Sequence, residues 1–138
     1  MRFGVRKTAH VFERVGLAMA GAACGLFVGA YVGSAITSLT TQGFLLVMMV
    51  LGVIGFYLGI DTPQLPFDDA HSQIDAAEFL SSAGTLCATL AALASVAIIV
   101  LRLETHDALS WLVLIGWIAG VAMQIVAGTK ARMRVQER

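Results

Sequence analysis

The chain has 138 residues, 58% of them hydrophobic and 13% charged, with a mean hydropathy of +0.83. Soluble domains average about 45–50% apolar and about 25% charged, so this composition excludes an ordinary water-soluble domain and points to an integral membrane protein. The formal net charge is zero and no nucleic-acid motif is present, so no nucleic-acid partner is expected.

The first residues, 2–14, mix Arg2, Arg6, Lys7, His10, Glu13 and Arg14 with Phe3, Val5, Val11 and Phe12. They read either as a short basic helix lying in the headgroup layer or as a plain basic flank. The apolar run that follows is longer than a signal-peptide core of about 7–15 residues and is read as a retained first span near 15–37. Within it Gly21, Gly25, Gly29 and Gly33 recur every four residues, which puts them on one strip of a helix. In water each interior glycine would weaken a helix by about 1 kcal/mol relative to alanine. In lipid the backbone must satisfy its own hydrogen bonds, and small residues let two helices approach closely. The strip is therefore expected at a helix–helix contact. Leu26 and Val28, beside it, are expected to tolerate truncation.

Further spans are predicted near 43–60, 79–101 and 108–129, each close to the roughly 20 residues needed to cross a 30 Å hydrocarbon core. The linker Ser38–Gln42 is short enough to force an antiparallel hairpin, and Arg102–Asp107 forms a second tight turn. Small residues recur at four-residue spacing in the later spans too: Gly55 and Gly59, then Gly84, Ala88 and Ala92, then Gly116, Gly120, Gln124 and Gly128. Gly116 and Gly120 join the first-span glycines as expected packing positions. Trp111 lies near a span end, where an interfacial anchor belongs, whereas Trp117 is deeper and is expected to pack.

The long connection between the second and third spans carries Pro63 and Pro66 and then an amphipathic pattern over 67–78. Phe67, Ala70, Ile74 and Ala77 share one face; Asp68, His71, Asp75 and Glu78 share another. This predicts a short surface helix. Its acidic face is either solvated or a docking face for basic groups. No ligand motif of fixed spacing supports a metal ion there, and no cofactor is expected.

No Asp, Glu, Lys, Arg or His lies well inside a span, which weighs against a proton- or ion-coupled transporter. The histidines sit at or outside the span ends, where they could not hold a haem between helices. Cys24 and Cys87 read as small apolar side chains. No catalytic set is visible, so the chain is not expected to be an enzyme. Gln124 is the most polar group inside the spans and needs a partner there. Gln124, Thr85 and Thr89 are the candidate interior polar contacts.

Eight of the nine Lys and Arg residues flank the termini; only Arg102 lies on the other side of a four-span topology. The positive-inside rule then puts both termini in the cytoplasm. The fold expected is an all-α integral membrane protein with four transmembrane helices in a compact bundle plus the surface helix. The expected role is a non-enzymatic accessory or structural subunit in a bacterial inner membrane, in contact with the lipid bilayer and with other subunits or itself. A small oligomeric channel or facilitator with a neutral polar path is the alternative.

Overall fold

A computed structural model describes residues 2–59 and 76–136, with side chains for 11–59 and 76–133. Among these residues the protein is all-helical, with no strand. Helix α1 spans Arg2–Ala35, α2 Gln42–Gly59, α3 Ala76–Leu101 and α4 Asp107–Gln136. Each is long and apolar enough to cross a membrane, the apolar spans being Val11–Ala35, Gln42–Gly59, Ala76–Leu101 and Asp107–Met133.

The span limits predicted from hydropathy shift by only a few residues, and both shifts of the first span have local causes. The first span stops at Ala35, because Ile36 is extended and Thr37–Leu39 forms a 3-10 turn. Residues 2–14 are not a separate surface helix. They continue α1 without a break, giving a helix of 34 residues, about 51 Å long at 1.5 Å per residue. No proline interrupts this stretch, and the glycine at its end, Gly16, has open space around it.

The α1–α2 hairpin closes its own polar groups. The Thr40 hydroxyl donates to the Gly33 carbonyl at 2.7 Å. The Thr41 hydroxyl accepts from the Phe44 N–H at 3.2 Å, capping the first turn of α2. At the end of α3, the Leu103 N–H donates to Ile98 O and the Arg102 N–H to Ile99 O. Arg102 has φ 51°. This is a Schellman ending with an arginine where glycine is usual. Asp107 and Glu78 lie in the first turns of α4 and α3, where the helix dipole favours an acid.

Two tight antiparallel pairs make up the body: α1 with α2, and α3 with α4. They join chiefly through α2 against α4 and α1 against α3, while α2 and α3 barely touch. Around the bundle the order is therefore α1, α2, α4, α3. The connection between α2 and α3 spans a diagonal instead of joining neighbours. The core gathers Val28, Tyr31, Val32, Met48, Phe56, Ala88, Val113, Trp117 and Val121. Large apolar side chains on the outside, such as Met19, Leu93 and Leu112, are exposed, as a lipid-facing surface requires.

Candidate functional site

Three groups of residues organise the interior. The first is the set of backbone contacts at glycines. A Cβ built on Gly21 would overlap the Gly52 carbonyl oxygen, and one on Gly52 would overlap the Gly21 carbonyl. At Gly25 it would overlap the Met48 carbonyl. At Gly29 it would meet only side chain, Leu45 Cδ2 at 3.1 Å, and at Gly33 the Leu39 carbonyl at 3.4 Å. In the other pair, Gly84 and Gly120 approach each other: a Cβ on Gly84 would lie 2.6 Å from Gly120 O, and one on Gly120 2.7 Å from Gly84 O. Gly128 of α4 lies against Leu58 of α2.

Gly116 is different. A Cβ there would meet nothing within 4 Å, so this glycine is not at a contact, contrary to what its spacing from Gly120 suggests. Four residues advance about 400° around a helix of 3.6 residues per turn, so each step rotates the position by roughly 40°. Val28 also departs from expectation. It is fully buried rather than set aside from the packing. Gly52, which the four-residue strips omit, makes the reciprocal contact with Gly21. Its signal in the sequence is the irregular run Gly52, Gly55, Gly59.

The second group is polar. The Gln124 amide nitrogen donates to Thr85 Oγ1 at 2.8 Å, and Thr85 donates to the Ser81 carbonyl at 2.9 Å. Ser81 in turn donates to the Gly59 carbonyl of α2 at 3.2 Å. Gln124 is 1% exposed, and its Oε1 has no hydrogen-bond partner among the described residues. That oxygen would lie 2.9 Å from a Cβ on Gly55, so it packs on the bare Cα of that glycine. Thr89 does not join Gln124 and Thr85. It is exposed on the outside of α3 and returns its hydroxyl to the carbonyls of Thr85 and Leu86 in its own helix. Trp117 is fully buried, with its ring edge 3.4 Å from a Cβ on Gly52 and no partner for its Nε1 among the described residues.

The third group ties α1 to the α3–α4 hairpin at the opposite end. Tyr31 is 3% exposed, and its hydroxyl donates to Thr105 Oγ1 at 3.2 Å and accepts from Ser110 at 3.1 Å. Beside it opens a cleft of about 430 Å³ whose lining includes Ser34, Arg102, Thr105 and Asp107. The sequence reading passed over Tyr31 because the residue sits inside an uncharged run. It likewise passed over Tyr57, whose ring lies under two arginines: Arg14 Cζ at 5.6 Å and Arg132 Cζ at 5.9 Å from the centroid. Arg14 Nη1 also reaches the Tyr57 hydroxyl at 3.5 Å.

Of the predicted acidic face, Asp68, His71 and Asp75 lie outside the described residues, as does most of the surface helix at 67–78. Glu78 is half-buried in the first turn of α3, with the neighbouring Ala77 buried. Among the described residues no three His, Cys, Asp or Glu side chains converge as a metal site would need. Compared with known proteins, the chain matches no protein-family profile, no curated protein and no solved structure.

Proposed function

We propose that this chain is a non-enzymatic, small multi-pass membrane protein that serves as an accessory or structural subunit, assembled with copies of itself or with other membrane proteins. The observation that supports this reading is the use of its buried polar side chains. Ser81, Ser110 and Gln124 each donate to a neighbouring helix, and Ser95 donates to its own. Side chains that hold a substrate or line a path keep donors turned toward an opening; these donors hold helices. The glycines serve the same end. Gly21, Gly25, Gly29 and Gly33 act as a packing strip of the glycine-zipper kind on α1, and Gly120 with Gly84 does so between α3 and α4. The bundle presents large apolar faces outward, such as Leu86, Leu90 and Leu93 of α3, to lipid and to other subunits. The membrane is an inner membrane of bacterial type with both termini cytoplasmic. Asp68, His71, Asp75 and Glu78, of which only Glu78 lies among the described residues, would be the docking face for basic groups there.

A second reading, an oligomeric channel or facilitator, is favoured by two details. Gln124 Oε1 has no hydrogen-bond partner among the described residues, and Thr89 faces outward, where only a second copy could close a polar path around it. One experiment separates the two. The purified chain is reconstituted in liposomes and tested both for cross-linked species above its 14.6 kDa mass and for leakage of K⁺, Cl⁻ and protons. The structural role predicts cross-linked assemblies and liposomes as tight as empty ones. A leak that Thr89→Ala or Gln124→Leu abolishes would replace it with the channel.

A further inference from the structure

The end of the bundle that carries the two hairpin turns holds a cleft that the subunit role does not use. It opens between the end of α1, the end of α3 and the start of α4, and its volume of about 430 Å³ falls in the range of about 300–1,000 Å³ usual for small-molecule sites. Two opposite charges line it, Arg102 from the close of α3 and Asp107 from the first turn of α4. Among the described residues no ion pair joins them. Glu104 and His106, which lie between them in the chain, are exposed and do not line the cleft. Arg102 has a left-handed φ of 51°, a conformation that glycine adopts without strain, so this position keeps a guanidinium at a backbone cost. Strain of that kind clusters at ligand clamps.

The hydroxyls around the cleft run in one direction. Ser110, fully buried, donates to the Tyr31 hydroxyl at 3.1 Å, and Tyr31, 3% exposed, donates to Thr105 Oγ1 at 3.2 Å. This leaves the proton of Thr105, on the cleft wall, for an acceptor inside. Ser34 donates to the Tyr31 carbonyl at 2.7 Å, so its oxygen is left to accept. The wall thus offers donors at Arg102 and Thr105 and acceptors at Asp107 and Ser34. On the side of the span it is apolar, made by Ile98 and Ile99 of the last turn of α3, with Ile99 46% exposed. The third span ends at Leu101, so the polar part of the cleft lies where lipid headgroups begin.

We infer that this cleft binds the headgroup of a phospholipid that carries a primary ammonium beside its phosphate. The phosphate accepts from Arg102 and Thr105, the ammonium donates to Asp107 and Ser34, and an acyl chain leaves along Ile98 and Ile99. An anionic lipid would answer Arg102 and bring no cation to Asp107. A choline lipid carries the positive charge, but its quaternary nitrogen has no N–H to donate. A free headgroup would satisfy the polar wall and leave the two isoleucines uncovered. The planar fork of arginine suits the phosphate oxygens. The inference rests on the membrane setting of the bundle and not on its role as a subunit.

The test uses the full chain in detergent micelles. Phosphatidylethanolamine, phosphatidylglycerol and phosphatidylcholine with identical acyl chains are added in equal amounts, and retained lipid is read by native mass spectrometry. The thermal midpoint is measured without lipid, with each lipid and with phosphoethanolamine alone. Phosphatidylethanolamine is expected to be retained in preference and to raise the midpoint, with phosphoethanolamine alone inert. Arg102→Gln should lower its retention about fivefold, the factor equivalent to roughly 1 kcal/mol per basic group. Asp107→Asn should move the preference toward phosphatidylglycerol, a reversal that a loss of packing would not produce. Both side chains are exposed, so these variants disturb folding little, and the lipid-free midpoint checks that they are folded. Ala35→Trp, which fills the cleft, should lower retention of phosphatidylethanolamine with both charges in place. Equal retention of the three lipids by the unaltered protein, or an undiminished preference in folded Asp107→Asn, would overturn the proposal. So would a midpoint raised as much by phosphoethanolamine alone, which would make the ligand a soluble zwitterion. A chain that stays folded and monodisperse without detergent would instead remove the membrane setting on which the proposal rests.

Discussion

A single methyl group has different consequences at different glycines of this bundle, and the decisive quantity is what that methyl would strike. At Gly25 it strikes the Met48 carbonyl, which belongs to a helix backbone and cannot turn aside. At Gly29 the nearest atom is the end of the Leu45 side chain, which can rotate. At Gly116 there is open space. Gly25→Ala should therefore destabilise the bundle by about 1–3 kcal/mol, the usual range for overpacking. Gly29→Ala should do less. Gly116→Ala should be neutral or favourable, since alanine is the better helix former by up to about 1 kcal/mol. Between these glycines, Val28→Ala should lose about 1–2 kcal/mol through lost packing, because Val28 is fully buried, whereas Leu26→Ala, at 39% exposure, should lose less. The measurement is unfolding in mixed micelles by titration with a denaturing detergent. Equal midpoints for Gly25→Ala and Gly116→Ala would mean that the close approach of α1 to α2 is absent in the folded protein.

Among the described residues, the close of α3 carries a backbone with a measurable conformational cost. Arg102 takes the left-handed conformation that the Schellman ending demands, with φ 51°. For a residue with a Cβ this conformation costs about 1–2 kcal/mol, and glycine adopts it without that strain. Glycine gives back part of the gain through its freer unfolded chain, so Arg102→Gly should stabilise the protein by up to about 1 kcal/mol. A lower unfolding midpoint in Arg102→Gly would show that the arginine side chain, in its cleft beside Tyr31, contributes more than its backbone costs. Thr41 caps α2, and the basic residues Lys130 and Arg132 near the close of α4 complement its dipole.

At the scale of the whole molecule, the contacts of Arg14 and Arg132 with Tyr57 bring the start of the first span, the end of the second and the end of the fourth together. Tyr31, Thr105 and Ser110 meet at the far end. The helices thus alternate in direction, and eight of the nine Lys and Arg residues fall at the Tyr57 end or beyond it in the chain. If the proposed orientation holds, a reporter fused after Arg138 that is active only outside the cytoplasm should stay silent, as the positive-inside rule expects of such a bias. Activity of that reporter would reverse the orientation. Arg102→Gly also removes the one basic residue at the other end, so it should strengthen the bias and leave this result unchanged.

The sequence by itself determined the number of membrane-length apolar helices and their approximate limits, whereas most of the surface helix expected at 67–78 lies outside the described residues. The number and the limits depend on local quantities: a helix satisfies its own backbone, and an apolar run of sufficient length is stable only out of water. Trp117 was legible as a packing residue from its depth in the fourth span. The need of Gln124 for a partner was also legible, because a primary amide cannot be left dry. Only the tertiary structure decided which helices are neighbours. The diagonal of α2 and α3, the reciprocal contact of Gly21 with Gly52, the burial of Val28 and the exclusion of Gly116 all depend on the rotation of one helix against another. That rotation is set by surfaces contributed from distant parts of the chain, and no spacing within one span contains it. For the same reason Tyr31 and Tyr57 looked like ordinary aromatic residues of their spans, until the bundle brought a serine and a threonine to one and two arginines to the other.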